Sequence, residues 1–328
     1  NMLGVDLVSS INVSGATTTT VADTAAFTNV QTNAAINISN NTDVNTNVSY
    51  AATVVAGTGD TAVIALSNST AAAAADGIIT LNAGFESVSL ASNGTVNNQV
   101  GALNSGTATT LTLTGANPLQ IRSALTAAVL TVAGGDSTGN IVLSTDAAAG
   151  NAVSVTTGSG IDNITFVGAN AAADTVSTGD GNDTITFTAT LGNTDVIDGG
   201  TGTNTLAGDD GELAALTAAG NNVSNIQIIQ VNTQLNTALN TANTGGQSIV
   251  TLAGGAVAHT NTLTLPAGSA TVNLAGTLGT FTIADTGAAT DDSLTIANTT
   301  AVNNFAGQAL AVNGYETVSI STGALAQT

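Results

Sequence analysis

Carboxylates and glycines recur at one fixed spacing in the middle of this chain. The segment TGSGIDNI at residues 157–164 returns as TGDGNDTI at 178–185 and as GGTGTNTL at 199–206, with an offset of 21 residues each time. Glycines permit tight turns that bring backbone carbonyl oxygens close together, and the Asp that follows them adds a carboxylate. Calcium prefers oxygen ligands of these two kinds, so the repeats predict calcium binding.

A second register of carboxylates lies between these glycine-rich segments. Asp174 and Asp195 are also 21 residues apart, and each precedes the next position of the first register, Asp183 or Asn204, by 9 residues. Each repeat therefore contains one step of nine residues and one of twelve. An internal period of this kind is typical of a solenoid, in which each repeat adds one coil to a stack.

The glycine-rich segments resemble the RTX nonapeptide, Gly-Gly-x-Gly-x-Asp-x-U-x, where U is a large aliphatic residue. Residues 178–186 match this pattern apart from Thr178 at the first glycine. Two further departures are the step of twelve residues and Asn204 in place of Asp. The resemblance covers about residues 151–210, and it implies a parallel β-roll whose stacked turns bind Ca²⁺ between them.

The resemblance implies three calcium sites in this region. The first lies between the turns of Asp162 and Asp183, and the second between the turns of Asp183 and Asn204, which supplies a neutral oxygen. The third joins Asp174 and Asp195, with Asp198 nearby, on the opposite edge of the roll. The predicted ligands in the repeats are Gly158, Gly160, Asp162, Asp174, Gly179, Asp180, Gly181, Asp183, Asp195, Asp198, Gly200, Gly202 and Asn204. Candidate ligands outside the repeats are Asp60, Asp291 and Asp292.

The same resemblance implies a stacked aliphatic interior and a role for the ion in folding. The predicted interior residues are Val155, Ile164, Val176, Ile185, Ile197 and Leu206. Extracellular calcium modules bind the ion at about 10⁻⁴–10⁻³ M. Calcium is therefore expected to switch folding on after export from the cell.

Ordinary turns are the competing interpretation of these acidic residues. Asp-Gly and Asn-Asp pairs are common in turns, and a single segment of this kind would indicate only a turn. Three copies in register, with the aliphatic residue in phase, favour calcium. Asp136, Asp209 and Asp210 are interpreted as turn or cap residues. Glu86 and Glu316 are candidate ligands, although an exposed strand position is the simpler interpretation.

The composition excludes several classes of function. The 328 residues include 21 acidic side chains and a single Lys or Arg, so the formal net charge is −20. Nucleic acid and anionic membranes are poor partners, because almost nothing is present to neutralise phosphate groups. The absence of Cys excludes disulfides and thiolate metal sites. His259 lies in a strand-like segment without a nucleophile motif, and Arg122 is predicted to pair with an acid.

Alternation of apolar and polar residues predicts strands along most of the chain. Segments such as 111–114 and 185–188 are typical of half-buried strands bounded by Gly, Asn and Asp turns. Short helices are predicted at 71–75, 118–125 and 210–220. The predicted fold is all-β, with elongated parallel β-roll or β-solenoid-like modules and short helical inserts.

A weaker repeat divides the chain into three modules. The motif Gly-aromatic-Glu-[Ser/Thr]-Val at residues 84–88 returns at 314–318, with a degenerate copy at 224–231. The predicted β modules are 1–97, 98–235 (which contains the RTX-like repeats) and 236–328. This motif, in a chain rich in Thr, Ala, Asn and Gly, resembles the RTX-type surface-layer proteins of Gram-negative bacteria.

That resemblance implies a self-assembling, calcium-dependent structural subunit of a bacterial surface layer or extracellular filament. The alternative is a calcium-stiffened RTX adhesin module. Its ice-binding variant needs Thr-x-Thr in register on successive coils, a pattern that Thr184/Thr186 and Thr203/Thr205 approach. An enzyme is not expected, because no catalytic motif is present.

The expected partners and location follow from the same reasoning. Calcium, further copies of the chain and cell-surface polysaccharide are the expected partners. No nucleic acid partner is expected, and no membrane insertion, since no apolar run is long enough to cross a bilayer. The first residues lack a signal peptide, so a processed piece of a longer protein is expected at the cell surface.

Overall fold

The chain folds as a parallel β-solenoid of about 12 turns, with 47% strand and 4% helix. The computed structural model describes residues 8–15, 23–146, 150–168, 172–218, 222–254, 261–276, 280–287, 290–299 and 310–321. Every strand pairing that it gives is parallel, as in β-rolls and β-solenoids. The predicted fold class is confirmed.

The chain divides into two compact units, of which unit 1 is Asn1–Asp183. Its strands form parts of three parallel sheets. The first, in spatial order, contains β1 (Ser10–Ser14), β3 (Ala35–Ser39), β5 (Thr61–Ser67), β7 (Ser87–Asn93), β10 (Thr110–Thr114), β12 (Thr131–Ala133), β14 (Ser154–Thr156) and β16 (Thr175–Ser177). The second contains β2 (Thr24–Val30), β4 (Asn45–Tyr50), β6 (Ile79–Leu81) and β9 (Leu103–Asn104). The third contains β8 (Asn98–Val100), β11 (Leu119–Ile121), β13 (Ile141–Asp146) and β15 (Asn163–Val167).

Unit 2, Thr184–Thr328, repeats this organisation. One run of strands contains β17 (Thr184–Phe187), β19 (Thr205–Gly208), β21 (Ile228–Val231), β23 (Ile249–Leu252), β25 (Ser269–Leu274), β27 (Ser293–Asn298) and β29 (Thr317–Ser321). A second contains β22 (Leu239–Asn240), β24 (Thr262–Leu265), β26 (Phe281–Asp285) and β28 (Leu310–Asn313). β18 (Val196–Asp198) pairs with β20 (Val223–Ser224). A helix, α1, spans Asp210–Ala215, and a 3-10 helix spans Thr241–Asn243.

Alternating Thr and aliphatic residues produce the layered core. In β10 the two Leu residues, Leu111 and Leu113, are buried, whereas the three Thr residues face outward and are half-exposed. Leu111 lies in register with Val88 on β7 and Val132 on β12, so each coil adds one apolar layer to its neighbours. Burial of each such side chain contributes about 1.5–3 kcal/mol.

The 21-residue period of the sequence is the length of one coil in this region. Val155 pairs with Val176, and Ile185 pairs with Leu206, each 21 residues further along the chain. The six predicted interior residues Val155, Ile164, Val176, Ile185, Ile197 and Leu206 are all at most 1% exposed. The predicted interior is confirmed. The division into modules 1–97, 98–235 and 236–328 stays a prediction.

The helix predicted at 210–220 is present but shorter. It ends at Ala215, because Leu216 has an extended backbone with ψ of 139°. Asp210 and Leu213 are its buried residues. Residues 219 and 220 lie outside the described residues.

The other two predicted helices are wrong. Residues 71–75 contain a turn, and the Asp76 side chain accepts the N–H of Ala73 at 3.1 Å. The segment predicted as a helix at 118–125 contains β11, which pairs with β8 and β13. Pairing on both sides and burial of Leu119 and Ile121 outweigh the local helical signal of Asn-Pro. Among the described residues, no helix combines the length and the apolar character that a membrane-spanning helix needs.

Candidate metal centre

Close stacking of successive coils requires the glycines of the repeats. A Cβ atom on Gly179 would lie 2.1 Å from the carbonyl oxygen of Gly158, and one on Gly181 would lie 1.8 Å from that of Gly160. Both distances are far shorter than van der Waals contact. Gly179 (φ +78°) and Gly181 (φ +140°) also have positive φ values that other residues rarely adopt. Close stacking of the coils therefore requires these glycines, whether or not the turns also bind a ligand.

Asp162 and Asp183 occupy equivalent positions one coil apart in unit 1, as the sequence offset predicts. Oδ1 of Asp183 accepts the backbone N–H of Asp162 at 2.8 Å. Oδ1 of Asp162 accepts the N–H of Ile141, a further 21 residues back, at 2.6 Å. Each carboxylate therefore fastens its own coil to the preceding one through a charge-assisted hydrogen bond.

Both of these carboxylates are buried, with each residue only 1% exposed. Burial raises the pKa of Asp162 and that of Asp183 above the usual value for Asp. Oδ2 of Asp162 is buried and accepts no hydrogen bond, and the hydroxyl of Thr157 donates instead to the carbonyl of Thr178 at 2.9 Å. A buried carboxylate oxygen without a donor is costly unless a cation or a proton neutralises it.

A cleft of about 260 Å³ lies on the glycine-rich turns of unit 1. It is lined by Gly135, Thr157, Gly158, Ser159, Gly179 and Asp180. Asp180 is exposed, and its N–H donates to the carbonyl of Gly158 at 2.9 Å. The lining offers hydroxyl, carbonyl and carboxylate oxygens, which is the donor set that calcium takes in groups of six to eight.

The carboxylates of the second register also accept hydrogen bonds from backbone N–H groups. In unit 1, Asp174 is buried, and its Oδ1 accepts the N–H of Val153 at 2.8 Å. In unit 2, Oδ2 of the buried Asp195 accepts the N–H of Gly192 at 2.8 Å. These two residues belong to different units, so the structure does not test the predicted site that joins Asp174 to Asp195.

Asp198 and Asn204 lie in a network of hydrogen bonds within unit 2. Oδ1 of Asp198 accepts from the Asn225 side chain at 2.6 Å and from the N–H of Gly200 at 3.0 Å. The bond from Asn225 holds the pKa of Asp198 below its usual value. The amide nitrogen of Asn204 donates to the carbonyls of Gly199 at 2.6 Å and Asn225 at 3.0 Å.

Two other glycines named as ligands, Gly200 (φ +66°) and Gly202 (φ +119°), have left-handed backbone conformations. Their conformation is the one that glycine-rich turns of this kind require.

The candidate ligands outside the repeats have very different environments. Asp60 is half-buried, and its Oδ2 accepts the N–H of Gly57 at 2.9 Å. Asp291 is exposed, whereas the adjacent Asp292 is only 1% exposed. Neighbours along a strand-like segment face opposite sides, and only the second of this pair faces inward.

The Gly-aromatic-Glu repeat has a structural role that sequence reasoning missed. Oε2 of Glu86 accepts the N–H of Asp60 at 2.8 Å, and Oε2 of Glu316 accepts the N–H of Asp292 at 2.8 Å. The degenerate copy does the same, because Oε1 of Gln227 accepts the backbone N–H of Asn204, on the preceding coil, at 2.6 Å. We call this bond the coil hook. In the sequence, an Asp or Asn lies one coil length before the Glu or Gln of each copy, and this spacing could have revealed the hydrogen bond.

The single Arg side chain does not form the predicted ion pair. Arg122 donates from Nε to the carbonyl of Ala71 at 2.9 Å and from Nη2 to Oε1 of Gln99 at 2.8 Å, so the predicted pairing with an acid is wrong. His259 lies outside the described residues. Among the described residues, no three Asp, Glu or His side chains surround a common point.

Comparisons with known proteins found no relative. No family model matches the chain, and neither the search of curated proteins nor the search of solved structures found a match.

Proposed function

We propose that this chain is a calcium-stabilised, self-assembling structural subunit of a bacterial surface layer or extracellular filament. The observation that carries the proposal is the buried Oδ2 of Asp162, which has no hydrogen-bond donor and belongs to a carboxylate stacked one coil before Asp183. A fold that buries acidic groups in successive coils, in a chain with a net charge of −20, is stabilised by a divalent counter-ion.

The residues of unit 1 fit calcium better than a smaller or softer ion. Asp162 and Asp183 supply carboxylate oxygens, and the stacked glycine turns supply carbonyls. Magnesium demands a near-ideal octahedron, whereas calcium tolerates irregular sets of six to eight oxygens. Two carboxylates and several neutral oxygens give weak affinity, which suits the calcium concentration outside a cell. The bound ion supplies charge neutralisation, and the residues themselves hold the coils together.

Exposed apolar side chains on β29 support assembly. β29 pairs with β27, and among the described residues it has no strand on its other side. Val318 and Ile320 lie in register with the buried Leu294 and Ile296, yet they are 43% and 57% exposed. An edge strand with exposed apolar residues is a template for pairing with another strand. We propose that a further copy adds there in parallel, with calcium screening the acidic surfaces.

The assembly proposal predicts a calcium-dependent lattice that one substitution abolishes. At millimolar calcium we expect ordered sheets or fibres by negative-stain microscopy, reversed by EGTA. Val318→Lys should abolish them, because it places a charge in the edge that pairs, while circular dichroism stays unchanged. Val96→Lys is the matched control, since Val96 is exposed to 44% and Val318 to 43%. Dispersed particles at millimolar calcium, or identical behaviour of the two variants, would contradict the assembly proposal.

An adhesin module is the second candidate, and the outer face of one sheet favours it. Thr184 pairs with Thr205 but Thr186 pairs with Ala207, so the Thr array considered from the sequence breaks there. A sustained array of small, mostly hydroxyl side chains lies instead on the first sheet of unit 1. Its first column contains Thr61, Ser87, Thr110, Thr131, Ser154 and Thr175, and its second contains Val63, Ser89, Thr112, Ala133, Thr156 and Ser177.

These hydroxyl columns give the adhesin candidate a direct test. A repeating array of hydroxyl groups at the strand spacing of about 4.8 Å suits a repeating surface such as ice or crystalline polysaccharide. The double variant Thr110→Lys/Thr131→Lys should abolish adsorption to such a surface, and the exposed Thr138→Lys should not. Equal adsorption of both variants, or none by the unaltered chain, would rule this candidate out.

A further inference from the structure

Three buried side-chain oxygens without hydrogen-bond partners belong to neighbouring turns of unit 2, away from the repeats. They are Oδ2 of Asp285, Oδ2 of Asp292 and the hydroxyl of Tyr315. Asp285 ends β26, Asp292 immediately precedes β27, and Tyr315 lies in the turn before β29. A Cβ atom on Gly314, the residue before Tyr315, would lie 3.2 Å from Oδ2 of Asp285, so this turn packs against Asp285. The Asp285 carboxyl also interacts with that of Asp292 and raises its pKa.

Backbone hydrogen bonds fix the orientation of both carboxylates. Oδ1 of Asp292 accepts the N–H of Gly268 at 2.5 Å, and Oδ1 of Asp285 accepts the N–H of Gly287. Each carboxylate therefore has one oxygen held by the backbone and a second oxygen that receives no donor. Asp292 is only 1% exposed, so water does not replace the missing donor.

The surrounding backbone leaves space beside these oxygens. Gly314 has φ of +91°, and a Cβ atom there would lie 3.2 Å from Oδ2 of Asp285. The side chain that any other residue would add at this position would crowd the carboxylate. Glycine at position 314 therefore keeps the approach to Oδ2 open, and it permits the turn that brings Tyr315 to the cluster.

Negative charge accumulates here without a compensating cation from the protein. Contact with the Asp285 carboxyl raises the pKa of Asp292, and the nearby Glu316 adds to this effect. Burial, together with the two Asp residues, raises the pKa of Tyr315 to about 12, so the phenol is neutral at physiological pH. The whole chain contains one Lys or Arg and one His. The positive charge that balances these carboxylates must therefore come almost entirely from outside the chain.

We propose that Asp285 and Asp292 bind a hard divalent cation, with Ca²⁺ as the probe, beside the hydroxyl of Tyr315. Two ionised carboxylates are acceptors only and cannot satisfy each other. A divalent ion neutralises both free oxygens at once, whereas a shared proton neutralises one of the two charges. The site deepens the proposed calcium-dependent function but uses residues that lie outside the glycine-rich repeats.

The first copy of the coil hook provides an internal comparison. There Phe85 replaces Tyr315, is fully buried and packs edge-on against Tyr50 at a centroid distance of 5.0 Å. Oδ2 of Asp60, the counterpart of Asp292, accepts the N–H of Gly57. The same hook is thus built without a buried, unpartnered carboxylate oxygen on Asp60, so the cluster in unit 2 is more than a by-product of the hook.

Terbium luminescence tests the site directly, because the chain contains two Tyr and no Trp. Tb³⁺ replaces Ca²⁺ at oxygen sites and emits when a nearby Tyr transfers energy to it. We expect Tyr-sensitised emission from the unaltered chain, displaced by added Ca²⁺. Tyr315→Phe should abolish this emission, and Tyr50→Phe should preserve it. Asp285→Asn and Asp292→Asn should each weaken binding by about tenfold or more, whereas the exposed Asp291→Asn should leave it unchanged.

Two outcomes of the terbium experiment would overturn the proposal. Absence of sensitised emission from the unaltered chain would exclude a cation beside Tyr315, whether or not the variants fold. Loss of emission in Tyr50→Phe but not in Tyr315→Phe would place the ion elsewhere. Asp162→Asn separates this site from the repeats, since emission at Tyr315 should survive it. Sensitised emission without calcium-dependent assembly would support this site while contradicting the proposed function.

Discussion

Gly181→Ala should destabilise unit 1 by at least about 2 kcal/mol. Two physical effects act at this position. The new Cβ would meet the carbonyl oxygen of Gly160 at 1.8 Å, and the backbone has φ of +140°, which an L-residue adopts only under strain. The carbonyl belongs to the stacked neighbouring coil, so relief of the contact would require the two coils to separate. The measurement is the free energy of unfolding by urea in the absence of calcium.

A matched glycine provides the control for this experiment. Gly59 is in the same unit, and a Cβ atom there would have no neighbouring atom within 4 Å, so Gly59→Ala should change the free energy of unfolding by less than about 0.5 kcal/mol. Gly158→Ala separates the two causes, because its Cβ would lie 1.9 Å from the carbonyl oxygen of Ser137 without a positive φ. Similar stabilities of Gly181→Ala and Gly59→Ala would contradict the stacked arrangement of the glycine turns.

Calcium should stabilise unit 1 at neutral pH, and Asp162→Asn should remove most of that effect. At a calcium concentration of 100 times the dissociation constant, one site adds about 2.7 kcal/mol to the free energy of unfolding. Asn keeps an oxygen that accepts from Ile141, and its neutral amide removes the cost of burying an ionised carboxylate. Without calcium the variant should therefore be at least as stable as the unaltered chain.

The pH dependence of the free energy of unfolding, measured without calcium, is a second test of the same site. The folded-state pKa of Asp162 and that of Asp183 are raised by burial. Their protonated forms therefore favour the folded state. Stability from these groups is fully present below the unfolded-state pKa and is lost as the pH rises through the raised folded-state pKa. Saturating calcium should flatten this loss, because the ion competes with the proton for the same oxygens.

Urea unfolding across pH, with EGTA or with calcium, measures both effects. The control is Asp136→Asn, an exposed turn residue of unit 1, which should retain the calcium increment and the pH dependence. If Asp162→Asn and Asp136→Asn respond to calcium alike, Asp162 is not a ligand. If calcium leaves the unaltered chain unchanged, the glycine-rich segments are stacking turns alone.

The sequence predicts the coil and its interior because both depend on local periodicity. Alternation with a period of two residues specifies which face of each strand is apolar, and the 21-residue offset sets the coil length around Asp162 and Asp183. Parallel stacking of equal coils then places equivalent residues in register. Burial of Val155, Ile164 and their counterparts follows from those two periods alone.

Local signals fail where pairing with neighbouring coils outweighs them. The Asn-Pro start at residues 117 and 118 resembles a helix, but β11 forms because strands lie ready on both sides. Asp291 and Asp292 are equivalent as sequence, and only the fold decides that the second is buried. The role of Glu86 as a coil hook likewise needs the preceding coil, which supplies the N–H that it accepts.

The contact between Asp285 and Asp292 was decided by tertiary structure alone. The two residues stand seven positions apart, at the ends of strands that belong to different sheets, and no repeat relates them. Their carboxylates meet because the chain turns a corner of the coil between β26 and β27, with Gly314 leaving space beside them. Sequence periodicity specifies what repeats from coil to coil, whereas a cluster that occurs once depends on how one particular corner folds.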